Sequence, residues 1–152
     1  ICPAGNIYTS AEQSGRFYEM LLSGGEYQGK QIMNPKTVFR STLPTSGLSI
    51  DRTLLAPMRY ALGPMLGSNP VGLFGPMTGQ AFGHLGFSNI LCWADPERDI
   101  SVSILTTGKS VVGTHLPALA KTLYQISNNC PRIPKNQRRS LFATDRTENN
   151  LV

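Results

Sequence analysis

The sequence predicts an α+β fold, an antiparallel sheet flanked by helices. Three observations predict it. Helix-period segments stand near both ends of the chain, and the stretch between them is rich in strand signals. The segment "GHLGFSNILCWADPERDISVSILTTG" reads as a hairpin of two apolar strands around a polar turn. The element order is helix, short helix, strand, loop, hairpin, helix, and the missing β-α-β alternation argues against a doubly wound parallel sheet. A length of 152 residues with 40% hydrophobic content suits one domain with a packed core.

In chain order, "YTSAEQSGRFYEMLLSGGEYQG" is a capped helix. Thr9 and Glu12 have capping-box spacing, and Ala11, Gly15, Tyr18 and Leu22 share a face that Phe17, Met20 and Leu21 widen. Gly24 and Gly25 end it, because glycine tolerates the left-handed C-cap conformation. Asn34 followed by Pro35 starts a second, short helix. "LPTSGLSIDRTLLAP" reads as loop, and Arg59–Gly67 as a strand broken at Gly63-Pro64. "SNPVGLFGPMTGQAFG" carries four glycines and two prolines in sixteen residues, which predicts a long structured loop, read as a cleft wall. It lacks the spacing of a phosphate-binding loop.

The hairpin follows. Leu85, Phe87, Leu91 and Trp93 fall on one face, and His84, Gly86, Ser88, Ile90 and Cys92 on the other. Both faces turn apolar toward the "DPERD" turn, as in a central strand covered on both sides. Asp95, Glu97 and Asp99 at the turn do not complete a calcium loop and read as a solvated turn. Ile100, Val102 and Ile104 share a face of the return strand. Thr114 is expected to cap the last helix, with Leu116, Leu119, Leu123 and Ile126 at helical spacing and Pro117 tolerated in its first turn. His115 there reads as a capping or surface residue.

Residues 131–152 are expected to form a basic polar tail, flexible or wrapped on the surface, beside a domain spanning 1–130. The tail holds five basic and two acidic residues, so it supplies three of the five net positive charges. The rest of the chain is near neutral and has no basic stripe or recognition motif, which argues against nucleic acid as a partner. No apolar run is long enough for a membrane-spanning helix. Cys2, Cys92 and Cys130 form no C-x-x-C pair, which disfavours structural zinc. Cys92 reads as a core residue, and Cys2 and Cys130 remain either paired or free. The start at Ile1 suits a processed or truncated piece.

"AGNIYTSAEQSGRFYEMLLSGGEYQGKQIMNPKTV", "YALGPML" and "FGHLGFSN", in that order, resemble the serine β-lactamase-like hydrolases over about Pro3 to Ile126. The last resembles the family's third active-site motif, in the His-x-Gly form of its esterase and D-aminopeptidase branches. No serine here has a lysine three residues later, and Tyr8-Thr9-Ser10, the only Tyr-x-Ser, belongs to the opening of the first helix. The resemblance therefore implies the C-terminal portion of a longer hydrolase whose nucleophile lies upstream.

By that resemblance, an upstream serine attacks an ester or small amide carbonyl to give an acyl-enzyme, without metal or organic cofactor. His84, Gly86 and Ser88 would bind substrate, and the backbone amide of Phe87 would be half of the oxyanion hole. The glycine would let substrate approach the backbone closely. Histidine is neutral over part of the physiological range where lysine is not, which favours ester or small amide substrates over those held by a carboxylate. The implied partners are such a substrate and the missing N-terminal part of the same domain. The competing reading is a non-catalytic relative that binds a partner or peptide along the same strand edge. Upstream Ser-x-x-Lys and Tyr-x-Asn/Ser motifs would discriminate the two.

Overall fold

The hairpin predicted at the centre of the sequence is the centre of the fold. In the computed structural model, which describes residues 7–86, 88, 90–107 and 112–138, α1 (Ala11–Leu22) leads through a short hairpin, β1 (Glu26–Tyr27) and β2 (Lys30–Gln31), to α2 (Pro35–Thr42). Then come β3 (Ser49–Asp51), β4 (Ala56–Tyr60), β5 (Met65–Leu66), a second small hairpin of β6 (Val71–Gly72) and β7 (Gly75–Pro76), β8 (Phe82–Gly86), β9 (Ile90–Asp95), β10 (Ile100–Ile104) and α3 (Leu116–Asn129). Among the described residues, the main sheet has six strands in the order β10-β9-β8-β5-β4-β3, every neighbour antiparallel. No described helix is long and apolar enough to cross a membrane.

The stretch His84–Ala94, read in sequence as one strand, is two: β8 and β9 pair antiparallel from Phe82↔Ala94 to Gly86↔Ile90, and the predicted hairpin around "DPERD" is β9–β10. The alternation along β9 and β10 decides which helix covers which face. Leu91 and Trp93 pair with Ile104 and Val102 in the β9–β10 ladder, and all four belong to a core shared with Phe74, Leu85 and α3 residues Leu119, Leu123 and Ile126. Trp93 and Phe74 stack there at 5.5 Å between ring centroids. The intervening positions face the other way. Phe82 and Ala94 join Met20, Leu21 and Leu22 of α1 and Val38 of α2 in a second core. The two buried faces of β9 explain why its sequence is a continuous apolar run rather than an alternation.

Local signals place the helices, with corrections. The capping box at α1 is formed by Ser10 and Gln13, one position later than Thr9 and Glu12: the Gln13 amide donates to Ser10 Oγ at 3.1 Å and the Ser10 amide to Gln13 Oε1 at 3.0 Å. The glutamine serves as well as glutamate because the box needs only a side-chain acceptor. Phe17, read as part of the buried face, is 51% exposed. Asn34 caps α2 through the Lys36 amide at 2.9 Å. His115, not Thr114, sits at the N-cap of α3 and makes no side-chain capping bond. Edge strand β3 lies within the segment read as loop; at three residues it is too short for periodicity to reveal.

The largest correction concerns the hairpin turn. It is buried and ion-paired rather than solvated. Asp95 and Glu97 are 1% and 8% exposed. Arg98 Nη1 donates to Asp95 Oδ2 at 2.7 Å and to the Met77 carbonyl at 2.9 Å, tying the turn to the loop after β7. Glu97 accepts from Arg132 Nε at 3.0 Å and from Arg138 Nη1 at 2.9 Å. The Ile133 amide donates to the Glu97 carbonyl at 2.8 Å. Within the basic tail, residues 131–138 thus lie against this turn; residues 139–152 are outside the described residues. The cationic charge of Arg132 and Arg138 is spent on one glutamate that the sequence places 35 and 41 residues away.

Removing one member of such a buried pair strands its partner. Asp95→Ala is expected to lower unfolding free energy by about 3–5 kcal/mol by leaving the Arg98 guanidinium without its counter-ion. Glu12→Ala, at the exposed Glu12–Arg16 pair of α1, is expected to leave the urea midpoint within experimental error. Equal midpoints for the two variants would contradict this account.

Candidate functional site

The residues singled out in sequence lie at the C-terminal half of β8 and the turn after it. The β5–β8 ladder pairs Leu66 with Phe82 and Met65 with Gly83, and stops there. The β8–β9 ladder runs on through His84↔Cys92, Leu85↔Leu91 and Gly86↔Ile90. Beyond Gly83 the β5 chain turns away through Ala61–Pro64, where the Ala61 amide donates to the Pro64 carbonyl at 2.9 Å. From His84 to Gly86, β8 is therefore paired on one side only among the described residues. The stretch is an open strand edge within an otherwise interior strand, formed because the β4–β5 hairpin is too short to cover it.

His84 is exposed, and its Nδ1 lies 2.9 Å from the Leu85 carbonyl. A carbonyl only accepts, so that ring nitrogen carries the proton. In the neutral ring Nε2 is then the lone-pair nitrogen, and no described residue bonds to it. The strand-start hydrogen bond and an available imidazole nitrogen are thus compatible: the first fixes the tautomer of the second.

The two glycines flanking the histidine differ. A Cβ on Gly83 would come within 2.2 Å of the Cys92 carbonyl oxygen and 2.5 Å of Trp93 Cβ, so packing against β9 requires glycine there. A Cβ on Gly86 would meet Ile90 Cβ at 3.2 Å, a tight contact with a side chain at the sheet surface. Gly83 is thus the packing glycine that sequence reasoning passed over, and Gly86 is the one the chain's own core does not demand. Ser88 is half-buried in the β8–β9 turn. Phe87 lies outside the described residues.

Behind His84 the α1 face is polar. Register places Ser103, Cys92 and His84 side by side across β10, β9 and β8. Ser14 Oγ donates to Cys92 Sγ at 3.2 Å. Burial, with a smaller contribution from the neighbouring Cys92, pushes the Tyr18 phenol up to about 12. Ser103 Oγ is buried without a hydrogen-bond partner among the described residues, beneath Gly15 at the α1 crossing. At the far edge, the Tyr60 hydroxyl donates to Asp51 Oδ2 at 2.6 Å, which lowers the Asp51 carboxyl and pushes Tyr60 up to about 12.

Sequence reasoning also passed over Thr106. Its hydroxyl donates to the Ser88 carbonyl from two residues beyond the last β9–β10 pair, Ile104↔Leu91. A contact across 18 residues leaves no spacing signal. The glycine-rich loop, read as a cleft wall, belongs elsewhere. It joins β5 to the Phe82 end of β8, opposite the Gly86–Ile90 turn, and buries Phe74 at 0% exposure beside α3. Its glycines serve contact: a Cβ on Gly75 would sit 2.9 Å from Ser127 Oγ. Cys92 and Cys130 are free thiols, and Cys2 lies outside the described residues.

Residues 3–123 match the family described as Beta-lactamase. The chain belongs to that family. Among curated proteins, this β-lactamase-family chain is 29% identical over 103 residues to the esterase/β-lactamase LipL of Mycobacterium tuberculosis, a match covering 68% of the chain and 23% of LipL. The chain thus spans about a quarter of that relative's length. Its fold is similar to that of a penicillin-binding-protein homologue from Caulobacter crescentus (TM-score 0.59, 24% identity, 67% of this chain and 26% of that one). It is equally similar to a family VIII carboxylesterase (TM-score 0.59, 19% identity, 78% and 31%). The α+β class read from the sequence is that of these neighbours.

Two predictions follow from the geometry. Gly83→Ala is expected to destabilise the protein by at least about 2–3 kcal/mol, because backbone must move, whereas Gly86→Ala is expected to cost less than about 1 kcal/mol. Denaturation midpoints of the two variants test the ranking, and a larger loss at Gly86 would reverse the assignment. The second concerns alkaline pH. Tyr18 and Tyr60 are both raised from 10.0 to about 12, so the stability that comes from keeping them neutral is present below pH 10 and is lost as pH rises through 12. In an ultraviolet phenolate titration of the folded protein, Tyr18→Phe and Tyr60→Phe should each remove one late-ionising component; removal of an early component by either would contradict the assignment.

Proposed function

We propose that this chain is the C-terminal portion of a serine hydrolase that cleaves an ester or small amide through an acyl-enzyme, and that the open edge of β8 is its substrate-binding edge. The observation that carries the proposal is the one-sided pairing of His84–Gly86, together with membership of the β-lactamase family. An edge strand offers unpaired backbone groups to a ligand, and Gly86 is a glycine the protein's own packing does not require, so a substrate can approach the backbone there. The names of relatives support the chemistry, since LipL is described as an esterase/β-lactamase and a structural neighbour as a carboxylesterase.

In this proposal the nucleophile is a serine from a part of the protein upstream of this chain, with its base. The serine oxygen bonds to the substrate carbonyl carbon while its proton passes to the base. The carbonyl electrons move onto oxygen and are met by the Phe87 amide as half of the oxyanion hole. Collapse breaks the bond to the alcohol or amine, which leaves with the proton from the base. Water then repeats the sequence on the acyl-enzyme, returning the serine and releasing the acid. His84, its tautomer fixed by Leu85, presents Nε2 to hold or polarise the substrate, and Ser88 lines the same edge. The alternative, a non-catalytic module that binds a partner along this edge, is favoured by one observation: no Ser-x-x-Lys occurs in the chain.

The 152-residue chain alone is expected to be inactive toward a simple aryl ester. The protein isolated from its source should have a mass well above 16.5 kDa, with Ser-x-x-Lys upstream of Ile1 and turnover blocked by serine-directed reagents. In that protein, His84→Ala should lower kcat/KM by about 10- to 100-fold. A natural mass near 16.5 kDa would sink the hydrolase reading and leave the binding module.

A further inference from the structure

We infer that Thr106 is a positioning residue for this site: its hydroxyl holds the β8–β9 turn, and thereby the end of the strand edge on which substrate lies. The inference rests on the hydrolase reading above. Among the described residues, the β8–β9 ladder ends at Gly86↔Ile90, and Ser88 lies beyond that pair. Among the described residues, Thr106 Oγ1 is the donor that reaches the Ser88 carbonyl. It comes from the chain just past β10, two residues beyond Ile104↔Leu91, and the contact is partly buried, where water competes less for the hydroxyl.

The arrangement ties three consecutive strands together at the level where chemistry is proposed. β8 supplies His84 and Gly86, the turn supplies Ser88, and the end of β10 supplies the clamp. Acyl-transfer donors must be held to a fraction of an ångström to act on developing charge, and a displacement of about 1 Å is able to cost a hundredfold in rate. A hydroxyl bonded to the turn backbone supplies that restraint without touching substrate. Thr106 is therefore assigned to orientation and not to chemistry.

The test uses the enzyme as isolated, with all its natural chain, and an aryl ester as substrate. Thr106→Val keeps the shape and removes the donor; Thr106→Ser keeps the donor. The expected result for Thr106→Val is a fall in kcat of about 10- to 100-fold with KM within about twofold of wild type, near-complete recovery in Thr106→Ser, and unchanged thermal midpoints in both. Retained kcat in Thr106→Val overturns the inference. So does an equal loss in Thr106→Ser, which would assign the effect to packing, or a lowered midpoint that tracks the rate, which would make the role structural. His84→Ala separates the two levels of the argument. If His84→Ala lowers kcat/KM as expected and Thr106→Val leaves kcat unchanged, only the Thr106 role falls. If the wild-type protein has no turnover, or His84→Ala leaves it intact, the reading of the site falls and the Thr106 role with it.

Discussion

Burial of β9 on both faces is the constraint from which the rest of the structure follows. Leu91 and Trp93 are 1% exposed on the α3 side, while Ala94 on the opposite side is fully covered by the α1 core. A strand with two dry faces needs a partner on each edge and a layer on each side, because its backbone polar groups have no water to turn to. β8 and β10 supply the edges. α1 and α2 cover one side, and α3 with the Phe74 loop covers the other. The glycine at 83 is the local consequence: β8 approaches Trp93 so closely that a methyl group there would overlap backbone.

The two ends of β9 are unlike. At the Asp95–Asp99 end, five charged side chains are ion-paired, and Asp95, Glu97 and Arg98 among them are buried. Arg98 neutralises Asp95 and binds the Met77 carbonyl, and Glu97 gathers Arg132 and Arg138. Buried pairs of this kind add little net stability over an apolar packing, but they specify one arrangement, since any slip strands a charge. They fix the loop after β7 and the segment after α3 to one turn. At the Gly86–Ile90 end, among the described residues, the ladder is open on the β5 side, and the Thr106 hydroxyl from beyond β10 donates to the Ser88 carbonyl. An ion-paired turn at one end and an open edge at the other is the arrangement that the proposed substrate-binding role of β8 would use.

How much of this is legible in sequence depends on the range of the interaction responsible. The helices, the hairpin and its face assignments are set by contacts between near neighbours, so periodicity in Leu91, Trp93, Val102 and Ile104 and the Asn34–Pro35 start expose them directly. The order of short motifs was enough to indicate the β-lactamase family, which the match over residues 3–123 shows. What escaped are long-range polar contacts. "DPERD" is rich in charge, and an isolated charged turn is solvated; only the fold brings Arg132 and Arg138 to it from beyond α3. The glycine-rich loop misled for a related reason. Glycine density signals close approach but does not say to what, and here the close neighbours of Gly72, Gly75 and Gly79 are Ser68, Ser127 and Asn69.

The glycines of "GHLGFSN" separate two demands that look alike in a string of letters. Gly83 answers the core and Gly86 does not. A glycine that internal packing does not require, on a strand whose outer side loses its partner one residue after Gly83, puts bare backbone where the sheet is open. The chain turns away at Ala61–Pro64, where Leu62 is 74% exposed. An uncovered edge is a liability for a folded protein unless something else uses it, and a histidine with its tautomer set by its own strand is the side chain placed there.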